Sequence, residues 1–327
     1  MLVWSRGEPA DWDAALIRLP GWSLYQSSAW SRYRQAMGWQ VVRAIGCDAQ
    51  QRIAAMAQML VRRRLGVHII WIPGGPAGEF RFWAHSLVEF IGKQFGPLPY
   101  CRLNVLGERD ASDTDALLKG RWRRPQTRLS SGLSLKLDLR PTDQERMLAA
   151  SANWRHNLRR SGKYDLTVER WERPDAAQMA AVYREMEELK GLGLQHSEAD
   201  LRAMINNLGK NLLVFRCLDG DGNLLAFRAG GVFGDQAWDL LAAATRAARK
   251  VYASHATLWA LLEACRAEGA VDYDLGGVDP VRNKGVLDFK HGTGARTVEY
   301  LGEWEWTRVP LLARAVGLLM KHRGLAA

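Results

Sequence analysis

Cysteine is scarce in this chain: Cys47, Cys101, Cys217 and Cys265 stand far apart in 327 residues. No pair has CxxC or Cys/His ligand spacing, which argues against a zinc site and against a disulfide framework. Free thiols, buried or half-buried in a reducing compartment, are the ordinary outcome. Long apolar runs are missing too, and nothing approaches the roughly 20 residues that a bilayer-spanning helix needs. The first ten residues carry Arg6 and Glu8 and no apolar core, so no secretion signal is expected. Walker, GxSxG and HExxH signatures are all absent, which removes the common phosphate-loop, serine-hydrolase and zinc-protease readings. An acidic excess is also lacking: 45 Lys and Arg against 35 Asp and Glu leave a formal net charge of +10. Such a balance suits polyanionic partners, whether nucleic acid, phosphorylated substrates or an anionic membrane face, and equally serves solubility.

What is present reads as a folded chain of two domains. Hydrophobic residues make up 47% and charged residues 24%, an ordinary soluble balance, and each half is long enough to bury a core. Fourteen tryptophans supply core bulk and ring platforms. Residues 24–39 predict a helix capped by Ser27 or Ser28, with Trp30, Tyr33 and Met37 on one face. Strands follow at 41–45, 53–60 and 67–72, the last ending in Pro73-Gly74-Gly75-Pro76, which breaks any ladder. The second half repeats the pattern. Strands at 212–217 and 224–233 flank Asp219-Gly220-Asp221-Gly222-Asn223, a hairpin turn. Asp48 to Ala55 overlays Asp219 to Ala226 without a gap, an indication of internal duplication. Between the halves, a strand is expected at 133–139. Thr142 and Glu145 are spaced as a capping box, and 154–164 is a strongly basic helical stretch. Helices are also expected at 174–189, 197–208 and 254–268, the last capped by Ser254. Residues 310–322 predict an amphipathic basic helix, packed on the body or, as the sharper reading, lying on a membrane surface.

The most informative stretch is Tyr273-Asp274-Leu275-Gly276-Gly277-Val278, followed by Asp288-Phe289-Lys290, Gly294 and Tyr300-Leu301-Gly302-Glu303. It reads as a strand into a glycine turn, a loop carrying one lysine beside an aromatic, and another strand. Together with Gln26 to Gly38 and Ile72 to Pro76, this order resembles the Fem (FemAB/FemX-like) family, the aminoacyltransferases that build peptidoglycan interpeptide bridges. The resemblance implies an α/β (α+β) fold of two tandem acetyltransferase (GNAT)-like domains, mixed sheets flanked by helices. The expected bounds are 1–138 and 139–307, with 308–327 as a C-terminal helix packing on the body. It also implies transfer of an amino acid from aminoacyl-tRNA to an amine of a lipid-linked or nucleotide-linked cell-wall precursor. No cofactor or metal is implied, and a cytoplasmic location touching the inner membrane face is expected.

Site residues carry over position by position. Lys290 is implied to stabilise charge in acyl transfer, with Phe289 walling the site and Asp288 completing the motif. An ammonium in such a place suits a developing oxyanion. Arg34, four residues after Trp30, stands where the family has a lysine that grips the precursor's pyrophosphate; arginine keeps the charge in a planar fork. Lys190 falls near another basic position for those phosphates, with Tyr33 and Trp238 as further substrate-binding candidates. The basic group Arg155, Arg159, Arg160 and Lys163 matches a basic helix at the start of the second domain. Its spacing suits a phosphate backbone and hence tRNA. Acyl transfer to an amine needs a proton acceptor; Asp239, Asp274, Asp279 and Asp288 are at hand, and no spacing selects one. Two rivals stand beside this reading: a non-catalytic binding protein of basic surface, and an acyl-coenzyme-A-dependent N-acyltransferase acting on a sugar or exopolysaccharide. That chemistry uses an Arg/Gln-x-x-Gly-x-Gly/Ala turn before the main helix, and the matching Arg249-Lys250-Val251-Tyr252-Ala253-Ser254 has neither glycine.

Overall fold

The computed structural model describes residues 2–322 other than Leu192, Leu194, Gln195 and Arg282. The strands among the described residues are β1 (Val3–Arg6), β2 (Gln40–Cys47), β3 (Ile53–Arg64), β4 (Val67–Pro73), β5 (Ala77–Gly78), β6 (Pro99–Glu108), β7 (Leu133–Asp138), β8 (Leu166–Arg170), β9 (Leu212–Asp219), β10 (Leu224–Phe233), β11 (Gln236–Ala244), β12 (Asp272–Gly277) and β13 (Arg296–Thr307). The chain divides into two compact units, Met1–Leu133 with Val298–Ala327, and Ser134–Thr297.

In the first unit β1, β2, β3, β4, β6 and β13 lie side by side, with β5 added to β3. All neighbours are antiparallel except β4 and β6, which run parallel from His68↔Pro99 to Pro73↔Asn104. The helix Phe80–Gln94 makes the crossover between those parallel strands, a connection that two neighbouring parallel strands require. Its Trp83, Leu87 and Ile91 recur at helical spacing and pack with Trp122, Leu301 and Trp304 into the unit's core. Ser27 caps the helix Ser28–Ala36 by accepting from the Trp30 amide, while Leu24–Gln26 is a separate 3-10 turn.

The second unit repeats the scheme strand for strand. Here β8, β9, β10, β11, β12 and β7 lie side by side, antiparallel except for β11 and β12. The β2–β3 and β9–β10 hairpins therefore occupy the same place in their sheets, as their matched turns foreshadow. In each unit the sixth strand stands out of chain order: β13, from far along the chain, pairs with β6, and β7, which precedes β8, pairs with β12. The expected capping box is present, with the Thr142 hydroxyl and the Glu145 carboxylate reciprocally bonded at the start of the helix Asp143–Ala149. Cys217, Leu225, Ala226, Ala248 and Ala253 form a core cluster on this sheet.

One contrast between the sheets positions the site. The first unit's parallel pair stays zipped along β4. The second unit's pair holds only from Gln236↔Asp272 to Trp238↔Asp274, while β11 continues to Ala244 and β12 to Gly277. The two strands splay apart beyond that point. Strand ends that leave their ladder expose backbone groups that need new partners.

Two local expectations are overturned. Asp288-Phe289-Lys290 is not in a loop but on the helix Lys284–His291. An i,i+4 ion pair, Lys284 Nζ to Asp288 Oδ2 at 2.6 Å, supports its outer face, and Phe289 and Lys290 point inward from it. Ser254 does not cap the main helix either. That helix is Ala253–Ala267, its N-cap is Tyr252 in the left-handed region at φ 59°, and no side chain caps it.

Candidate active site

A cleft of about 300 Å³ lies at the splayed ends of β11 and β12. Its floor is built of small residues, Ala226 on β10 and Ala242, Ala243 and Ala244 on β11, with Met186, Phe227 and Phe289 as apolar walls. Ser254 and Thr257 from the main helix, together with Lys190, Arg249, Arg228, Asp239 and Lys290, supply the polar groups.

Lys290 is the pivotal group. Its residue is only 8% exposed, and Nζ donates to the carbonyls of Gly276 at 3.2 Å and Gly277 at 3.1 Å. These carbonyls belong to the end of β12 that has left the parallel ladder, so the ammonium stands where a strand partner would be. Gly276 takes φ +78°, and a Cβ there would lie 3.6 Å from Nζ. Burial draws the Lys290 ammonium below the ordinary lysine range; Asp239 and Asp274 oppose that shift and Arg228 adds to it. A buried cation with a third donor position available is suited to oxygen that gains negative charge.

Beneath it lies a bidentate ion pair. Arg228 Nε donates to Asp239 Oδ1 at 2.8 Å and Nη2 to Oδ2 at 2.5 Å, with both side chains 7% exposed. Tyr273 Oη also donates to Asp239 Oδ1 at 3.2 Å. Asp239 thus has both oxygens engaged, and Arg228 is neutralised locally. Asp274 accepts at Oδ1 from the Ser134 hydroxyl and, at 2.8 Å, from the Gly276 amide, which fixes the glycine turn. Asp288 faces outward and pairs with Lys284. The cleft therefore keeps the charges of Lys190, Arg249 and Lys290. Lys190 ends the helix Ala176–Lys190, and burial, then the nearby Arg249, pulls its ammonium below the ordinary range. The Tyr183 hydroxyl accepts from the Ala242 amide at 3.1 Å, occupying part of the free edge of β11.

Behind Phe289 stand aromatic neighbours from the main helix and the basic helix. His255 meets Phe289 edge-on with ring centroids 5.0 Å apart, and Trp154 lies 5.3 Å from His255. Burial holds the imidazole down at about 4, and neither His255 Nδ1 nor Trp154 Nε1 has a hydrogen-bond partner among the described residues. His255 is thus a neutral packing ring.

The other expected residues fall in several places. Trp238 is buried in β11 opposite Asp274 and is not among the residues lining the cleft. On the helix Ala152–Ser161, Arg155 Nη1 donates to the carbonyls of Leu148 at 2.9 Å and Ala150 at 2.5 Å, so it finishes the preceding helix. Arg160 lies over the Tyr252 ring at 4.8 Å, while Arg159 and Lys163 are exposed. Arg34 and Tyr33 belong to the first unit. There the Arg34 guanidinium lies 5.2 Å from the Tyr33 ring centroid, 5.7 Å from that of Trp39 and 5.4 Å from that of Trp71. Arg62 stacks on Trp39 at 4.3 Å, and burial and Arg34 both lower its proton affinity. Two partly desolvated cations held on aromatic faces make an anion-receptive patch.

Sequence reasoning passed over Arg228 and Thr257, and named Arg249 only as the start of the turn before the main helix. Arg228 had a signal, a lone arginine inside the apolar run Leu224 to Phe233. Such a charge persists in a strand interior only with a buried partner, and Asp239 on the next strand is that partner.

Two sheets of one topology, one of them splayed around a buried lysine, define a tandem acetyltransferase-like protein. Solved structures agree at the level of fold. The crystal structure of FemX superposes with a TM-score of 0.83 at 16% identity, covering 96% of this chain and 100% of that one. A tandem GNAT protein from the clavulanic acid biosynthesis pathway gives 0.60 at 12% identity, covering 95% and 99%. L-PGS from Bacillus licheniformis gives 0.56 at 15%, covering 96% and 98%. The FemAB family model matches residues 231–321, a segment that contains β11, β12 and Lys290. The chain is thus Fem-like, with the FemX fold throughout and the family's sequence signature around the cleft. No curated protein sequence matches it.

Proposed function

We propose that this protein is an acyltransferase of the Fem kind. It moves an amino acid from aminoacyl-tRNA to an amine of a peptidoglycan precursor, lipid-linked or nucleotide-linked, as a non-ribosomal step of cell-wall biogenesis. The observation that carries the reading is the Lys290 ammonium buried at the splayed end of β12, inside the segment that the FemAB family model matches.

In this reading the donor's ester carbonyl enters the cleft beside Lys290. The acceptor amine attacks, the tetrahedral oxygen gains charge, and the ammonium stabilises it without moving; collapse then breaks the ester C–O bond, and the tRNA ribose oxygen leaves as a hydroxyl with the proton that the amine gives up. Phe289 and the alanine floor exclude water that would hydrolyse the ester. Lys190 and Arg249 hold the phosphates near the donor's end, and Arg159 and Lys163, free at the surface, meet the more distant backbone. Arg34 with Tyr33 holds the precursor's pyrophosphate in the first unit. With both oxygens of Asp239 engaged, proton loss to the substrate or to water is favoured over loss to that residue.

The coenzyme-A reading keeps one observation in its favour: the splayed strands open on Arg249. Against it, the turn before the main helix is made by Tyr252 rather than glycine, and the Ala242 amide already has a partner. Radiolabelled amino acids on a total tRNA pool, offered with lipid-linked and nucleotide-linked precursors, decide between them. RNase-sensitive transfer supports the aminoacyltransferase. Acyl transfer from coenzyme A to an amino sugar, with none from tRNA, refutes it.

A further inference from the structure

The first unit carries a second cleft, about 920 Å³, between the helix Phe80–Gln94, the segment 121–126, the end of β13 and the C-terminal helix Pro310–His322. Lys93, Arg121, Arg123, Arg308 and Arg314 line it, all five exposed, and none has an ion pair among the described residues. Its two acids are engaged elsewhere: Glu89 pairs with His85 at 3.3 Å, and Glu305 accepts from the Tyr100 hydroxyl at 2.8 Å. The arginine at 308 is accommodated by backbone, since a Cβ on Gly92 would stand 2.7 Å from its guanidinium. Five exposed cations against two carboxylates around one concavity leave a net positive field.

The adjoining helix has an unusual outer face. Its inner side is tied down at Gly317, whose carbonyl accepts from the Thr127 hydroxyl at 3.0 Å. Its outer side shows Leu311, Leu318 and Leu319, which are 70%, 68% and 51% exposed. Leu311, Ala315 and Leu318 recur at i, i+4 and i+7, on one stripe. Arg314 lines the cleft and borders that stripe, with Lys321 a turn or two further along the same border.

We propose that this unit docks on an anionic lipid surface, the outer leucines entering the headgroup boundary and the cleft cations meeting lipid phosphates. Charge complementarity names the partner's sign, and the leucines name its apolar component, which a nucleic acid does not offer. Basic residues beside exposed apolar ones on a helix lying along a surface are what such binding requires.

The test is flotation of the full chain with vesicles of equal phosphatidylglycerol and phosphatidylcholine, against phosphatidylcholine alone and against a total tRNA pool. Both variants change exposed side chains: Leu318→Asp, and Arg308→Gln with Arg314→Gln. The expected result is binding to the anionic vesicles only. The paired charge variant should weaken it roughly thirty-fold, from the usual contribution of each basic residue at such a surface, and Leu318→Asp by at least about tenfold. Absence of vesicle binding overturns the proposal, as does binding that neither variant alters. Vesicles left unbound while tRNA binds, in a way the charge variant abolishes and Leu318→Asp does not, would reassign the cleft to nucleic acid. No transfer reaction is measured, so this outcome is separate from that of the proposed activity.

Discussion

Replacing Lys290 by methionine keeps the length of the side chain and removes only its charge and donors. The structure allows two consequences to be weighed separately. The carbonyls of Gly276 and Gly277 lose the donor they share, at about 1–3 kcal/mol for each that water fails to reach. The protein also no longer buries an ammonium, which returns much of that cost. Net stability should therefore move by no more than about 1–2 kcal/mol, only a few degrees in Tm for a chain this size. If the ammonium faces a developing oxyanion, kcat should fall by roughly 10²–10³, about 3–4 kcal/mol of barrier. Saturating single-turnover transfer, with uncatalysed ester hydrolysis subtracted, measures the second; thermal melting measures the first. The pH profile adds a sign. Lys290 is drawn below the ordinary lysine range, and its cationic form is the active one. Transfer should therefore decline as pH rises, at a pH lower than a free lysine would give. Lys290→Arg, charged throughout, should lose that alkaline limb whatever its residual rate. A methionine variant that melts normally and retains kcat within about threefold would show that Lys290 only ties down the glycine turn.

Three further outcomes follow from the same geometry. Asp239→Asn leaves Arg228 buried without its carboxylate and should cost about 3–5 kcal/mol in urea unfolding; Arg228→Met with Asp239→Leu should recover most of it. His255 is held near 4 in the fold and titrates at 6.5 when unfolded, so the unfolded chain takes up its proton first. Stability should be intact above about pH 6.5 and decline by roughly 3 kcal/mol as pH falls to 4; His255→Phe should show a shallower decline in pH-dependent unfolding. Lys190→Ala and Arg249→Ala should each raise the KM for the donor roughly tenfold, the worth of a charge-assisted contact, while kcat at saturation changes little. A loss confined to kcat would place these cations at the reacting atoms instead.

How much of this could be read from residues alone depends on the range of the interaction. Hairpins and caps are local, so the Asp219–Asn223 turn and the Thr142–Glu145 box announced themselves. The placement of Asp288-Phe289-Lys290 was less legible. Glycines on both sides of the motif read as a loop, whereas the Lys284–Asp288 pair and an inward Phe289 support two turns of helix. Tyr252 in the left-handed region is a conformation that sequence rules assign to glycine or asparagine, and here packing with His255 and Arg160 holds it. The Arg228–Asp239 pair spans two strands, and nothing in either strand alone selects the other. Least legible was the sixth strand of each sheet, because a strand's partner is no property of the strand itself.

The two units complete their sheets at different times during synthesis. β6 pairs on one side with β4 and on the other with β13, and β13 begins only at Arg296. While the chain emerges from the ribosome, the N-terminal unit waits with an open edge, although its other strands are already synthesised. The second unit has no such delay, since β7 precedes all its other strands. The later-encoded half can finish first, and the half that begins the chain is sealed last. An unpaired β6 edge during that interval is a template for neighbouring chains. Truncations ending before residue 296 should therefore associate through it, whereas the full-length chain closes the edge itself.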